Sequence, residues 1–261
     1  MMKMLLASLW VEGLKMRKSK MIWITCLSLS LAPMMGGFFM FVLKNPELAK
    51  ASGLLGAKAH IAGKADWPSY FSLLAQAIAV GGILVFGFVT SWVFGREYSD
   101  RTVKDLLALP VPRSTIVIAK YIVIFIWCAV LSLIVFVLGL LIGTIVDLPM
   151  WSFDVASHGL RVFGVSGLLT IALSTPVAFF ASYGRGYLAP LGFVVFAVVI
   201  AQIIAAIGHG YYFPWSIPAL YSNIAGTTTE PLGIMSYVII LVTCIAGLAG
   251  TISWWSHADH D

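Results

Sequence analysis

A chain of 261 residues that is 60% hydrophobic and only 10% charged is not a soluble domain, since such domains carry about 25% charged residues. Its net charge of +5 comes from basic residues scattered beside apolar runs, so no basic, aromatic-interleaved surface exists to bind nucleic acid. The partner that the composition demands is the lipid bilayer, and the expected fold class is an all-α integral membrane protein in which residues 1–261 form a single transmembrane domain.

Residues 3–18 place Leu5, Leu6, Leu9, Trp10 and Leu14 on one side and Lys3, Glu12 and Lys15 on the other. This pattern predicts an amphipathic helix lying in the membrane interface. The charges at Glu12, Lys15, Arg17, Lys18 and Lys20 interrupt the first apolar run, and the next is too long for a signal-peptide core, so it is read as a retained span. That first span covers 21–43, with Pro33 and Gly36-Gly37 as bend points. Lys44 to Pro68 is polar or small-residued and reads as a loop with weak helix. The second span covers 71–95.

A hydrophilic patch, Gly95 to Arg113, follows. Ser99 is placed to act as an N-cap, with Asp100 at the positive end of the helix dipole. Val103, Leu106 and Leu107 follow the i, i+3, i+4 rule and form one apolar stripe. Asp100 with Lys104 and Glu97 with Arg101 have the spacing of i, i+4 ion pairs. Pro110 and Pro112 end the helix, and Ser114 can cap the next. The patch therefore reads as a short amphipathic helix held at the membrane surface between two spans.

The third span covers 115–146, long enough to tilt or to begin in the interface with Lys120 snorkelling. Asp147, Pro149, Trp151 and Asp154 mark a short turn. The fourth span covers 160–182 and is broken at Ser174-Thr175-Pro176. Tyr183 to Tyr187 is a tight turn into the fifth span, 188–207. The aromatic, proline-rich stretch 208–231 precedes the sixth span, 233–255, and a polar tail. An even number of spans puts both termini on one side. That side carries eleven of the sixteen Lys and Arg residues, and the other carries Lys44, Lys50, Lys58, Lys64 and Arg161. The positive-inside rule assigns the richer side, with the 96–113 loop and both termini, to the cytoplasm of a multi-pass cell-membrane protein.

The run Arg96-Glu97-Tyr98 through Thr102, then Leu106-Leu107-Ala108-Leu109-Pro110-Val111-Pro112-Arg113 and Lys120-Tyr121, resembles the first cytoplasmic loop of ABC-2-type exporter permeases of the bacitracin-resistance and lantibiotic-immunity kind. The resemblance implies six transmembrane helices, with this loop as the coupling helix that contacts an ATPase subunit. Its contact residues would be Glu97, Tyr98, Asp100, Arg101, Thr102, Val103, Leu106 and Leu107. It also implies two ATPase copies and a second permease chain, identical or homologous. Many relatives carry glycine before the threonine, where this chain has Asp100-Arg101.

The remaining constellations fit a transport subunit with no catalytic or metal site of its own. No GxxxxGK[ST] loop occurs, so Mg-ATP would be bound by the partner ATPase and no cofactor by this chain. The spans hold almost no ionisable residue of the kind that ion-coupled carriers or intramembrane hydrolases use. Gln202 reads as an interhelical hydrogen bonder or a substrate contact. Tyr211 to Trp215 reads as an aromatic belt. By the resemblance, the same residues would form short re-entrant helices at the outer mouth, which puts Tyr212, Phe213 and Trp215 on the pathway. Ala77 with Gly81, Gly139 with Gly143 and Ala246 with Gly250 are small pairs suited to packing within the chain. Cys26, Cys128 and Cys244 read as packing residues. His257-x-x-His260 is a tail rather than a metal site. The expected function is export of an amphipathic peptide antibiotic or lipid-like substrate. The alternative is a non-transporting anchor that recruits a soluble protein through the same loop.

Overall fold

The computed structural model describes residues 2–45, 64–108, 110–222 and 232–257. The expectations for most of the Lys44–Pro68 loop, for Leu109, for the end of the aromatic stretch and for His260 lie outside these residues. No strand occurs among the described residues, and six helices are long and apolar enough to cross a membrane.

Helix α1 spans Met2–Arg17 and α2 spans Met21–Lys44. Helix α3, Trp67–Ser99, starts with a capped turn in which the Asp66 side chain accepts from the Ser69 amide and Pro68 occupies the first turn, where its missing amide costs nothing. Helix α4 is the short Val103–Leu107, and α5 is Arg113–Ile145. The fourth apolar run splits into α6, Phe153–Ala172, capped by Ser152, and α7, Thr175–Tyr183. The break falls at the Ser174-Thr175-Pro176 step read from the sequence, where Pro176 cannot donate to a continuing helix. Helices α8, Leu188–Ala206, α9, Ile217–Tyr221, and α10, Ile234–His257, complete the chain.

Helices α3 and α5 each run 33 residues, about 50 Å at 1.5 Å per residue, against a hydrocarbon core of about 30 Å. They therefore project beyond it, and α3 carries its apolar face into the loop that follows. Lipid competes for apolar side chains, so helices in a bilayer associate chiefly through close packing and hydrogen bonds. Helix α3 is the centre of that packing. Gly139 and Gly143 of α5 lie where a Cβ would meet the Leu74 side chain at 2.4 Å and the Trp67 ring at 2.4 Å. Gly159 of α6 likewise accommodates the Phe71 ring, and Gly87 of α3 accommodates Val194 of α8. The Gly139/Gly143 pair thus serves packing within the chain, whereas nothing lies within 4 Å of a Cβ at Gly81. The hydroxyl of Tyr70 donates to the Pro33 carbonyl at 3.0 Å and ties α3 to α2 at its proline.

Two interactions define the end shared by α1, the 96–113 loop, the 183–187 turn and the last residues of α10. Arg113 Nη1 donates to the Trp255 carbonyl at 3.2 Å, and a Cβ at Gly95 would lie 2.8 Å from the Gly186 carbonyl oxygen. At the opposite end, Lys44 meets Asp147 and the Trp67 amide donates to Pro149.

Candidate functional site

The loop between α3 and α4 differs from its sequence reading in one instructive way. Helix α3 continues through Ser99, so Ser99 lies inside a helix and is not an N-cap. The chain then reverses: the Thr102 amide donates to the Glu97 carbonyl at 2.9 Å and the Arg101 amide to the Tyr98 carbonyl at 3.2 Å. This paired closure ends a helix through a residue in the left-handed region, and that residue is Arg101, with φ 57°. It occupies the position where, by the resemblance, many of the related loops carry glycine. A non-glycine residue there costs about 1–2 kcal/mol, so Arg101→Gly is expected to raise stability by about 1 kcal/mol, measured by thermal denaturation in detergent. A loss of stability would show that the arginine side chain contributes more than the turn costs.

The same reversal removes the helical spacing on which the two expected i, i+4 pairs depended. Neither Glu97–Arg101 nor Asp100–Lys104 forms. Glu97 instead turns inward, to 2% exposure, and its Oε1 lies 2.9 Å from both Lys15 Nζ and Lys120 Nζ. Glu12 of α1 closes the ring, with Oε1 3.0 Å from Lys15 Nζ and Oε2 3.0 Å from Lys120 Nζ. Two carboxylates and two ammonium groups therefore alternate around a closed, neutral circuit joining α1, α3 and α5. Further bonds complete it: Lys120 donates to the Val93 carbonyl at 3.1 Å, and the Thr102 hydroxyl donates to Glu97 Oε2 at 2.8 Å. Arg96 sits outside the circuit, 3.8 Å from Glu97 and over the Trp92 ring. Burial pushes the Lys15 ammonium towards the neutral form, but Glu12 and Glu97 more than offset this and hold its pKa above the ordinary value.

Lys120 therefore does not snorkel. It is fully buried because two anions and a carbonyl await it inside the fold. Helix α1 is likewise turned from its expected orientation: Glu12 and Met16 are its buried residues, while Leu6 and Trp10 are exposed. Glu12 and Lys15 face the protein with Leu5, Leu9 and Leu14 half-buried, and Leu6, Trp10 and Val11 face outward, where the membrane interface can take them.

The expected coupling residues divide by exposure. Asp100, Arg101 and Thr102 are exposed, as are Lys104 and Asp105 beside them. Glu97 and Val103 are buried, and Leu106 and Leu107 are half-buried against the core. Tyr98 is half-buried and meets the Trp255 ring edge-on at 6.3 Å. Ser114 lies within α5, whose N-cap is Pro112. Glu12, Lys15 and Lys120 were missed as partners of Glu97. The signal available was Lys120 itself, a cation eight residues into a long apolar helix.

At the other end, Gln202 and Trp215 line one cleft of about 240 Å³ together with Ser216, Ile83 and Val198. Gln202 is exposed and bonds to no neighbouring helix among the described residues, so the structure does not support its expected interhelical role. Trp215 stacks edge-on to Phe193 and lies tilted to Phe213, whereas Tyr212 is exposed and lies outside this cleft. The segment folds as two short 3-10 turns, Gly210–Tyr212 and Pro214–Ser216, followed by α9.

Residues 8–202 match the model of the ABC-2 family transporter protein. The chain is also 30% identical over 179 residues to the bacitracin transport permease protein BCRB of Bacillus licheniformis, an overlap of 68% of this chain and 85% of that one. The family match runs from within α1 through the ring of charges and the loop and ends inside the fifth span. The chain belongs to the ABC-2 family of transporter proteins and is a multi-pass membrane permease of that family.

Proposed function

We propose that this permease is the membrane subunit of an ATP-driven exporter, with Mg-ATP bound and hydrolysed by a separate ABC ATPase subunit. Two ATPase copies and a second permease chain, identical or homologous, complete the assembly. The end bearing α1 and the 96–113 loop faces the cytoplasm, with both termini on that side, as the excess of Lys and Arg there favours. The observation that carries this reading is the loop itself. It exposes Asp100, Arg101, Thr102, Lys104 and Asp105 on a turn whose root is locked by buried charges. A polar patch on a stiff base can transmit a push from a soluble partner, whereas a loose loop would absorb it. The contact thus falls to the exposed residues, and Glu97 holds the turn from within. Tyr98, Val103, Leu106 and Leu107 seat the same turn on the core.

The substrate is an amphipathic peptide antibiotic or a lipid-like molecule, which makes the chain an antibiotic-resistance transporter. The name of the bacitracin permease supports this reading, as do the apolar surfaces of the spans. The outer cleft of Gln202 and Trp215, with Tyr212 and Phe213 beside it, lies on the exit path.

The test is co-purification of the ATPase with the wild-type chain and with Asp100→Lys/Asp105→Lys. Both residues are exposed, so membrane insertion should be unchanged while bound ATPase falls at least about tenfold, equivalent to about 1.4 kcal/mol. Full retention of the ATPase would remove the loop from the interface. A stable complex insensitive to nucleotide would favour an anchor over a pump.

A further inference from the structure

The ring of charges does more than stabilise one loop, because its four members come from three separate elements. Glu12 and Lys15 belong to α1, Glu97 to the last turn of α3, and Lys120 to α5. Each carboxylate touches both ammonium groups, so each element is held by ionic contacts to the others. Helix α1 offers the protein Glu12, Lys15 and Met16, with Leu5, Leu9 and Leu14 half-buried, while Leu6, Trp10 and Val11 point away. The ring is therefore the polar part of an attachment to which Met16 and the half-buried leucines add apolar contact.

We propose that α1 is a working part of the coupling apparatus, clamped by this ring so that α1, the 100–112 loop and the third span move as one body. Lys15 and Glu97 are positioning residues: Lys15 holds α1 to the loop root, and Glu97 passes the load to Lys120 and so to α5. The inference rests on the exporter reading for what drives the motion, but the clamp itself is a property of this chain alone. Ionic contacts suit such a joint because alternating charges resist sliding. Sliding α1 by three residues, about 4.5 Å at 1.5 Å per residue, would set Glu12 against Glu97 or Lys15 against Lys120.

The informative variant is Lys15→Gln/Glu97→Gln. It removes one charge of each sign and leaves Glu12–Lys120 as a matched buried pair. The interior stays neutral and the protein should fold in wild-type amount, while α1 loses its tie to the loop. Spin labels at Ala7→Cys and Ala108→Cys, with Cys26, Cys128 and Cys244 changed to alanine, report the distance between α1 and the loop in the full chain. The wild-type ring should give one narrow distance distribution, and the double variant one at least twice as wide. With the partner ATPase reconstituted, ATP hydrolysed per substrate moved should rise at least fivefold in the variant, while bound ATPase stays at the wild-type ratio.

An unchanged distribution together with an unchanged ATP-to-substrate ratio would overturn the clamp. If the distribution widens but the ratio holds, α1 is attached by the ring yet plays no part in coupling, and the proposal fails on that point. If the wild-type chain brings down no ATPase while the distribution still widens, the clamp stands as mechanics and the exporter reading is what falls.

Discussion

Lys120→Met is expected to destabilise the protein by about 3–5 kcal/mol, because it removes one member of a buried ionic circuit and strands its partners. Lys120 is fully buried and satisfies Glu12, Glu97 and the Val93 carbonyl at once. Without it, two carboxylates buried to 5% and 2% exposure share the single ammonium of Lys15. Methionine approximates the lysine stem, so the loss comes from charge and not from a cavity. Adding Glu12→Gln, which leaves Lys15 and Glu97 as one matched pair, should recover most of it. Thermal denaturation in detergent and the yield of monodisperse protein measure both variants. A Lys120→Met protein within 1 kcal/mol of wild type would mean that water or lipid headgroups already compensate these charges.

The second large effect is expected at Gly247, where α10 crosses the proline step between α6 and α7. A Cβ there would lie 2.6 Å from the Pro176 nitrogen and 2.8 Å from both Pro176 Cα and the Thr175 carbonyl carbon. These are backbone atoms, so no side-chain rotation can relieve the clash and the seam itself must open. That seam also carries the Tyr121–Thr251 hydroxyl contact at 2.8 Å and the Trp255 Nε1 to Ser182 bond at 2.9 Å. Gly247→Val should therefore cost about 1–3 kcal/mol or more from overpacking, and lower the recovery of folded protein accordingly. Gly250→Ala is the control one turn on: its Cβ would meet the Phe179 ring at 3.4 Å, an ordinary contact. Equal effects from the two would show that glycine content, and not the close backbone approach at Pro176, matters in α10.

The two effects have a common root in the bilayer. Apolar side chains gain little by leaving lipid for one another, so stability concentrates where backbones approach closely and where polar groups find partners. The glycines that receive Leu74, Trp67 and Phe71 are of the first kind, and the ring of charges is of the second.

What the sequence determined by itself was the class, the number of spans and the break in the fourth of them. Apolar runs of membrane length and a proline after Ser174-Thr175 are local facts, legible without a partner. It also located the loop, since charges between two spans can only lie at a membrane surface. The direction in which Glu97 and Lys120 point was beyond it. Helical spacing proposed Arg101 for Glu97 and the headgroups for Lys120, each the nearest satisfaction available along the chain. Only the tertiary structure brings residues 12, 15, 97 and 120 within hydrogen-bond reach. A buried charge is stable only beside its opposite, and here that opposite comes from helices 82 and 108 residues away in the chain.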